Sequence, residues 1–236
     1  VAAERIKLTS VRSPWWCAGV AVLGVVGLTA LMLLSRPPEA RADFPAASPF
    51  LQFGLVVVLV MAAVSVTTEY RYATVRATFE AVPNRTAAML AKAVVVAVAG
   101  ALVGLVASFG CWATVWLLAA PGTTLDTADS WRAVAGPAAV FAVGAVLALA
   151  VGILVRHTAA AVSILLVWTL LAENLLAAIP GLGDAVVGWL PFVNATNVTA
   201  PSDGMPLGPW GSLAYFAGIA AALFGVALVV VNRRDA

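Results

Sequence analysis

Charge is what this sequence has least of. Asp, Glu, Lys and Arg supply 10% of its 236 residues, while 63% are hydrophobic; ordinary globular domains carry about 25% charged residues. A chain so poor in polar surface is expected in a membrane. Its net charge of +2 is small, and it has no basic run interleaved with aromatics, which excludes a nucleic-acid partner on charge grounds. Cysteine is nearly absent too. Cys17 and Cys111 fall within or at the rim of apolar runs, far from a second ligand at metal spacing, and are expected to be small buried hydrophobes. The lone His157 sits beside Arg156, outside any H-E-x-x-H pattern; G-x-S-x-G is missing, and no two acids are visibly arranged for acid–base work. No catalytic residue, metal site or bound cofactor is expected, and an enzyme is disfavoured. Nor does a G-x-x-x-x-G-K-[ST] occur: "PGLGDAVVG" has glycines but no lysine to reach a phosphate.

Long apolar runs are what the chain does have. Six of them, near residues 15–34, 50–67, 88–119, 132–155, 159–178 and 211–231, approach or exceed the roughly 20 residues that cross about 30 Å of hydrocarbon. The first starts too late and runs too long for a cleaved signal peptide, so it is taken as a span. The expected fold is an all-α integral membrane protein of six transmembrane helices forming one domain, 1–236. Each gap carries punctuation such as "SRPPEARADFPAASP" and "APGTTLDTADS". The shortest, "RHT", makes the fourth and fifth spans a hairpin with Arg156 and His157 at its tip.

Orientation follows from the basic residues. With both termini inside, Arg5, Lys7, Arg12, Arg71, Arg76, Arg85, Lys92, Arg156, Arg233 and Arg234 are cytoplasmic, against Arg36, Arg41 and Arg132 outside. The N-terminal segment 1–14 is therefore cytoplasmic. Its charges beside Ile6, Leu8 and Val11, before two tryptophans, fit either a helix lying in the membrane surface or a solvated tail. The third run is too long for one perpendicular crossing and must tilt, bend or begin as a cytoplasmic turn. Gly100 and Gly104 form a GxxxG pair in it, which would let helix backbones approach closely. The segment 179–210 is extracytoplasmic, rich in Pro, Gly and Trp, and free of basic residues. Within it Asp184 to Leu190 suits a short helical turn, Trp189 and Trp210 suit headgroup depth, and the sequons at Asn194 and Asn197 are assigned no glycan.

Between the second and third runs lies "SVTTEYRYATVRATFEAVPNR". As a helix over 69–82 it would gather Tyr72, Val75, Phe79 and Val82 on one bulky stripe, with Glu69, Arg76 and Glu80 beside it, until Pro83 stops it and Asn84 turns the chain. An interfacial helix would favour basic residues on its polar face. Acids, arginines and aromatics together favour a protein docking surface.

The string "TTEYRYATVRATFEAVPNRTAAMLAK", residues 67–92, resembles the segment after the second span of ABC-2-type permeases, the membrane subunits of bacterial ABC exporters. Thr67, Glu69, Tyr70, Arg71, Thr74, Thr78, Pro83, Arg85 and Lys92 stand where that family has a Thr/Ser-x-Glu-Tyr-Arg element, spaced threonines, a Pro-x-Arg turn and a lysine opening the third span. The resemblance implies that 68–86 is the coupling helix and its turn. Glu69, Tyr70, Arg71, Tyr72, Val75, Arg76, Phe79, Glu80, Pro83 and Arg85 would then meet a separate ATPase, which binds the ATP and Mg. It further implies two ATPase subunits and a second permease copy or paralogue in the bacterial cytoplasmic membrane. The substrate, exported outward, would be hydrophobic, amphipathic or lipid-linked, with segment 179–210 as short helices capping the outer side.

Two rivals remain. An ion-coupled carrier needs ionisable groups inside the membrane, and Lys92 and Glu173 lie towards span ends; a non-transporting scaffold would share the spans and the docking helix. Sparse polar points along the pathway are Ser65, Thr67, Ser108, Thr114, Ser163 and Thr169. Glu173 and Asn174 either shape an exit site or help turn the chain at the outer interface.

Overall fold

The computed structural model describes residues 2–37, 41, 43–74, 84–119, 124–202 and 204–234. Among these, all regular structure is helical. Six helices are long and apolar enough to cross a membrane: Arg12–Leu34, Phe44–Arg71, Arg85–Leu118, Ala128–Val155, Thr158–Ala177 and Pro209–Arg233. They coincide with the six apolar runs, because a helix satisfies its backbone hydrogen bonds internally and can therefore lie in hydrocarbon. The chain is a multi-pass membrane protein by this architecture.

The fourth span is the hub, packing on the third, second and sixth. The third runs unbroken for 34 residues, about 51 Å at 1.5 Å per residue; its length is absorbed by one continuous helix. Two of its glycines permit close contact with the fourth span. A Cβ on Gly100 would lie 2.8 Å from the Phe141 carbonyl oxygen, and one on Gly104 would lie 2.6 Å from the Phe141 ring and 2.8 Å from the Pro137 oxygen. The GxxxG spacing thus presses the third span against the fourth. The first and fifth spans are peripheral, each 22% buried against 56% for the second and fourth. Their exposed Leu23, Leu31, Ile164, Trp168 and Leu171 form the kind of apolar surface a bilayer covers.

Polar contacts gather the helix ends into two groups. At the terminal end, the Thr158 hydroxyl donates to Thr67 Oγ1 at 2.9 Å, Asn232 donates to Thr86 Oγ1 at 3.0 Å, and the Arg156 guanidinium lies 4.9 Å from the Tyr70 ring centre. Arg156 itself has φ 58°, the left-handed turn that closes the tight hairpin. His157 then caps the fifth span: its Nδ1 accepts from the Ala160 N–H at 3.3 Å, a role its place in a hydrated loop did not suggest.

At the opposite end the segment after the fifth span folds into short helices Leu182–Val186, Val187–Trp189 and Pro191–Asn197, so the turn expected over 184–190 is helical. They pack on the sixth span through Phe192 against Phe216, with ring centres 5.6 Å apart, and through the Tyr215 hydroxyl, which donates to the Trp189 carbonyl at 2.8 Å. Both sequon asparagines are buried. Their amides donate to the carbonyls of Gly188, Leu190 and Leu207 and to Ser212, which leaves no side-chain nitrogen for a glycan.

Candidate functional site

Of the helix expected over 69–82, only residues 69–74 are described, and the first three belong to the second span. Glu69, Tyr70 and Arg71 complete the second span, which ends at Tyr72 as its N–H bonds back to the Thr68 carbonyl. Ala73 follows with φ 57°, in the left-handed region that breaks a helix. Tyr72 and Arg71 project outward, the guanidinium 5.6 Å from the Tyr72 ring centre. Val75, Arg76, Phe79, Glu80, Val82 and Pro83 lie outside the described residues. Asn84 then caps the third span through its side-chain oxygen, which accepts from the Ala87 N–H at 3.0 Å, and Arg85 is that span's first residue.

Glu69 points inward, into an ion cluster. Lys92, 4% exposed, places its Nζ 2.9 Å from Glu69 Oε1 and 2.6 Å from Glu4 Oε2. Lys7 closes the set, 3.0 Å from Glu4 and 3.3 Å from Glu69. Two acids and two bases from the helix Ala2–Ser10, the second span and the third span thus neutralise one another. Of the two forms expected for the N-terminal residues, Ala2–Ser10 is a helix and not a loose tail, and it docks on the bundle through Glu4. Beside the cluster is an apolar groove of about 530 Å³ lined by Cys17, Met61, Ser65, Val96 and the cluster itself.

The cluster sets a pH dependence. Burial raises the Glu4 carboxyl, but Lys92 and Lys7 outweigh it and hold the group below its usual 4.5. Burial lowers the Lys7 ammonium, but Glu4 and Glu69 outweigh it and hold it above its usual 10.5. Glu4 therefore contributes stability above pH 4.5 that is lost as pH falls through its lowered folded value, and Lys7 contributes stability below pH 10.5 that is lost as pH rises through its raised one. Heat stability measured against pH should show both falls, and Glu4→Gln should make the acid one shallower.

The second concentration of polar groups lies at the opposite end. Glu173, 3% exposed, belongs to the fifth span just after a π-helical turn, Trp168–Ala172. Its Oε1 accepts from Trp168 Nε1 and from the Phe192 N–H, both at 3.0 Å, and its Oε2 accepts from the Val193 N–H at 2.9 Å. The reason is local: Pro191 begins the helix Pro191–Asn197 without an N–H, and the next two orphan donors need an acceptor. The carboxylate supplies it from another element. Glu173, Thr169 and Asn174 line a cavity of about 430 Å³ between the second, fourth and fifth spans and this short helix. Of the two roles expected for Glu173, it therefore holds the turn of the chain and also faces a cavity.

The chain matches no protein-family model, no curated protein and no solved structure.

The other polar points do not converge. Thr67 is buried against Thr158, Ser65 donates to the Ala62 carbonyl at 2.7 Å and lines the terminal groove, Thr114 donates to the Gly110 carbonyl at 2.7 Å, Ser108 is buried between helices, and Ser163 is exposed. Sequence reasoning missed the joining of Glu4, Lys7 and Lys92. The signal for it was Lys92 itself, a lysine inside an apolar run that requires an acid nearby. Among the described residues no three His, Cys, Asp or Glu side chains gather to hold a metal.

Proposed function

We propose that this chain is the membrane-spanning subunit of an ABC-2-type exporter in the bacterial cytoplasmic membrane, with both termini cytoplasmic. It forms one half of a pathway completed by a second permease and works with two ATPase subunits that bind ATP and Mg. The cargo is hydrophobic, amphipathic or lipid-linked. The observation that carries this reading is the Glu69–Lys92 bond at 2.9 Å, which ties the second span to the third across the loop that bears the family-like segment. Glu4 and Lys7 tie the N-terminal helix to the same point. A push on that loop by an ATPase would reach two spans and a surface helix as one body, since an ion cluster this buried gives little independent play. The apolar walls of the bundle and the resemblance of residues 67–92 point the same way.

The test is a mild-detergent pull-down from the native membrane with mass spectrometry of what stays bound. A Walker-motif ATPase should be recovered, and Phe79→Ala should lose it while the chain still inserts. Reproducible isolation without an ATPase would sink the reading and favour a carrier or scaffold.

A further inference from the structure

Among the described residues, buried carboxylates are paired with cations at one end of the bundle and not at the other. Glu4 and Glu69 meet Lys7 and Lys92. Glu173, just as deeply placed, meets three N–H donors and, among the described residues, no cation. The basic side chains at its end are occupied or distant: Arg41 donates to the Leu118 carbonyl, Arg132 pairs with Asp129 and donates to the Val198 carbonyl, and Arg36 is exposed. Neutral donors stabilise a carboxylate without cancelling its charge, and in a low-dielectric setting that residual field attracts a cation strongly.

The cavity in front of this group is shaped for more than a bare ion. Its walls include Leu51, Leu55, Val140, Phe141 and Phe192, and its volume is about 430 Å³, within the range of small-molecule pockets. Thr169 stands one turn before Glu173, also lining the cavity, and is 4% exposed. Its hydroxyl has no hydrogen-bond partner. It falls within the π-helical turn, a distortion found mostly at functional sites. A buried unpaired hydroxyl costs stability unless something satisfies it, and an N–H donor arriving between Thr169 and Glu173 would do so.

We propose that this cavity binds a protonated primary or secondary amine carrying an apolar body, with Glu173 as counter-ion and Thr169 as a second acceptor. The N–H groups matter as well as the charge, so a quaternary ammonium of the same shape binds less well, and a neutral alcohol or a carboxylate hardly at all. As a statement about cargo, the proposal rests on the exporter reading. As a statement about binding it does not, and the experiment keeps the two apart.

The purified full chain is placed in lipid nanodiscs without any ATPase, and equilibrium binding of tritiated phenylbutylamine is measured against empty nanodiscs. Expected is saturable binding, with phenylbutanol and phenylpentanoate competing at least about tenfold more weakly. Glu173→Gln should weaken amine binding at least about tenfold and abolish the preference for amine over alcohol. That loss of preference separates a counter-ion from a residue that merely holds the helix Pro191–Asn197. Thr169→Val, which removes an unpaired hydroxyl at constant shape, should fold and should weaken the amine about three- to tenfold; it decides the matter if Glu173→Gln does not fold. Uptake no greater than into empty nanodiscs, an alcohol competing as well as the amine, or unchanged amine affinity in either variant overturns the proposal. Saturable, Glu173-dependent binding by a chain that recovers no ATPase would leave the site standing and remove only its role in export.

Discussion

Lys92→Met is expected to be among the most damaging single substitutions in this chain. The lysine sits 2.6 Å from Glu4 and 2.9 Å from Glu69, and the three side chains are 5%, 10% and 11% exposed respectively. Removing it leaves two largely enclosed carboxylates facing each other, with only the more exposed Lys7 between them. Breaking a buried ion pair in this way costs about 3–5 kcal/mol. The variant should lose monodispersity on heating well below the parent. Adding Glu69→Gln should recover most of the loss, because one carboxylate, Glu4, is then left against Lys7 at 3.0 Å and no acid is uncompensated. If the single variant is as heat-stable as the parent, the cluster does not hold the N-terminal helix and the second and third spans together.

Gly104→Val is the second large effect expected. Even a methyl at this position would meet the Phe141 ring at 2.6 Å and the Pro137 carbonyl oxygen at 2.8 Å. Neither can swing away: one is the root of a buried ring and the other is backbone. The third and fourth spans must part, and the cost is about 1–3 kcal/mol for overpacking, more if the hub repacks. Gly218→Ala is the matched control, since its added carbon would meet nothing within 4 Å and a helical alanine gains about 0.5–1 kcal/mol over glycine. Heat stability of the two proteins side by side checks the contrast. Equal behaviour would mean that the GxxxG pair is incidental to the packing.

How far the sequence could be read depended on the range of each feature. The second span, placed near 50–67, extends to Arg71, because Glu69, Tyr70 and Arg71 look like a new polar element when their neighbours are unknown. Glu69 was read as part of a docking stripe; its carboxylate is instead engaged by Lys92 and Lys7. In the sequence Thr169 is one of several sparse polar points, while Glu173 and Asn174 together suit an exit site or an outer turn; the structure brings these three to one cavity and leaves Ser108, Thr114 and Ser163 apart. The short helix that gives Glu173 its partners begins near Pro191, and no pattern in the fifth span announces it.

Length and hydropathy by themselves determined the six apolar runs that are helices among the described residues, the five gaps between them and the one tight hairpin, because crossing about 30 Å of hydrocarbon is a property of each run alone. Only the tertiary structure decided which charges meet. Glu4 and Lys92 stand 88 positions apart, and their pairing depends on how three helices pack side by side. The same holds for Glu173, whose two backbone donors are 19 and 20 positions away: a local pattern can place a carboxylate in an apolar run, with Trp168 five positions before it, but only packing supplies those backbone groups and the cavity it faces.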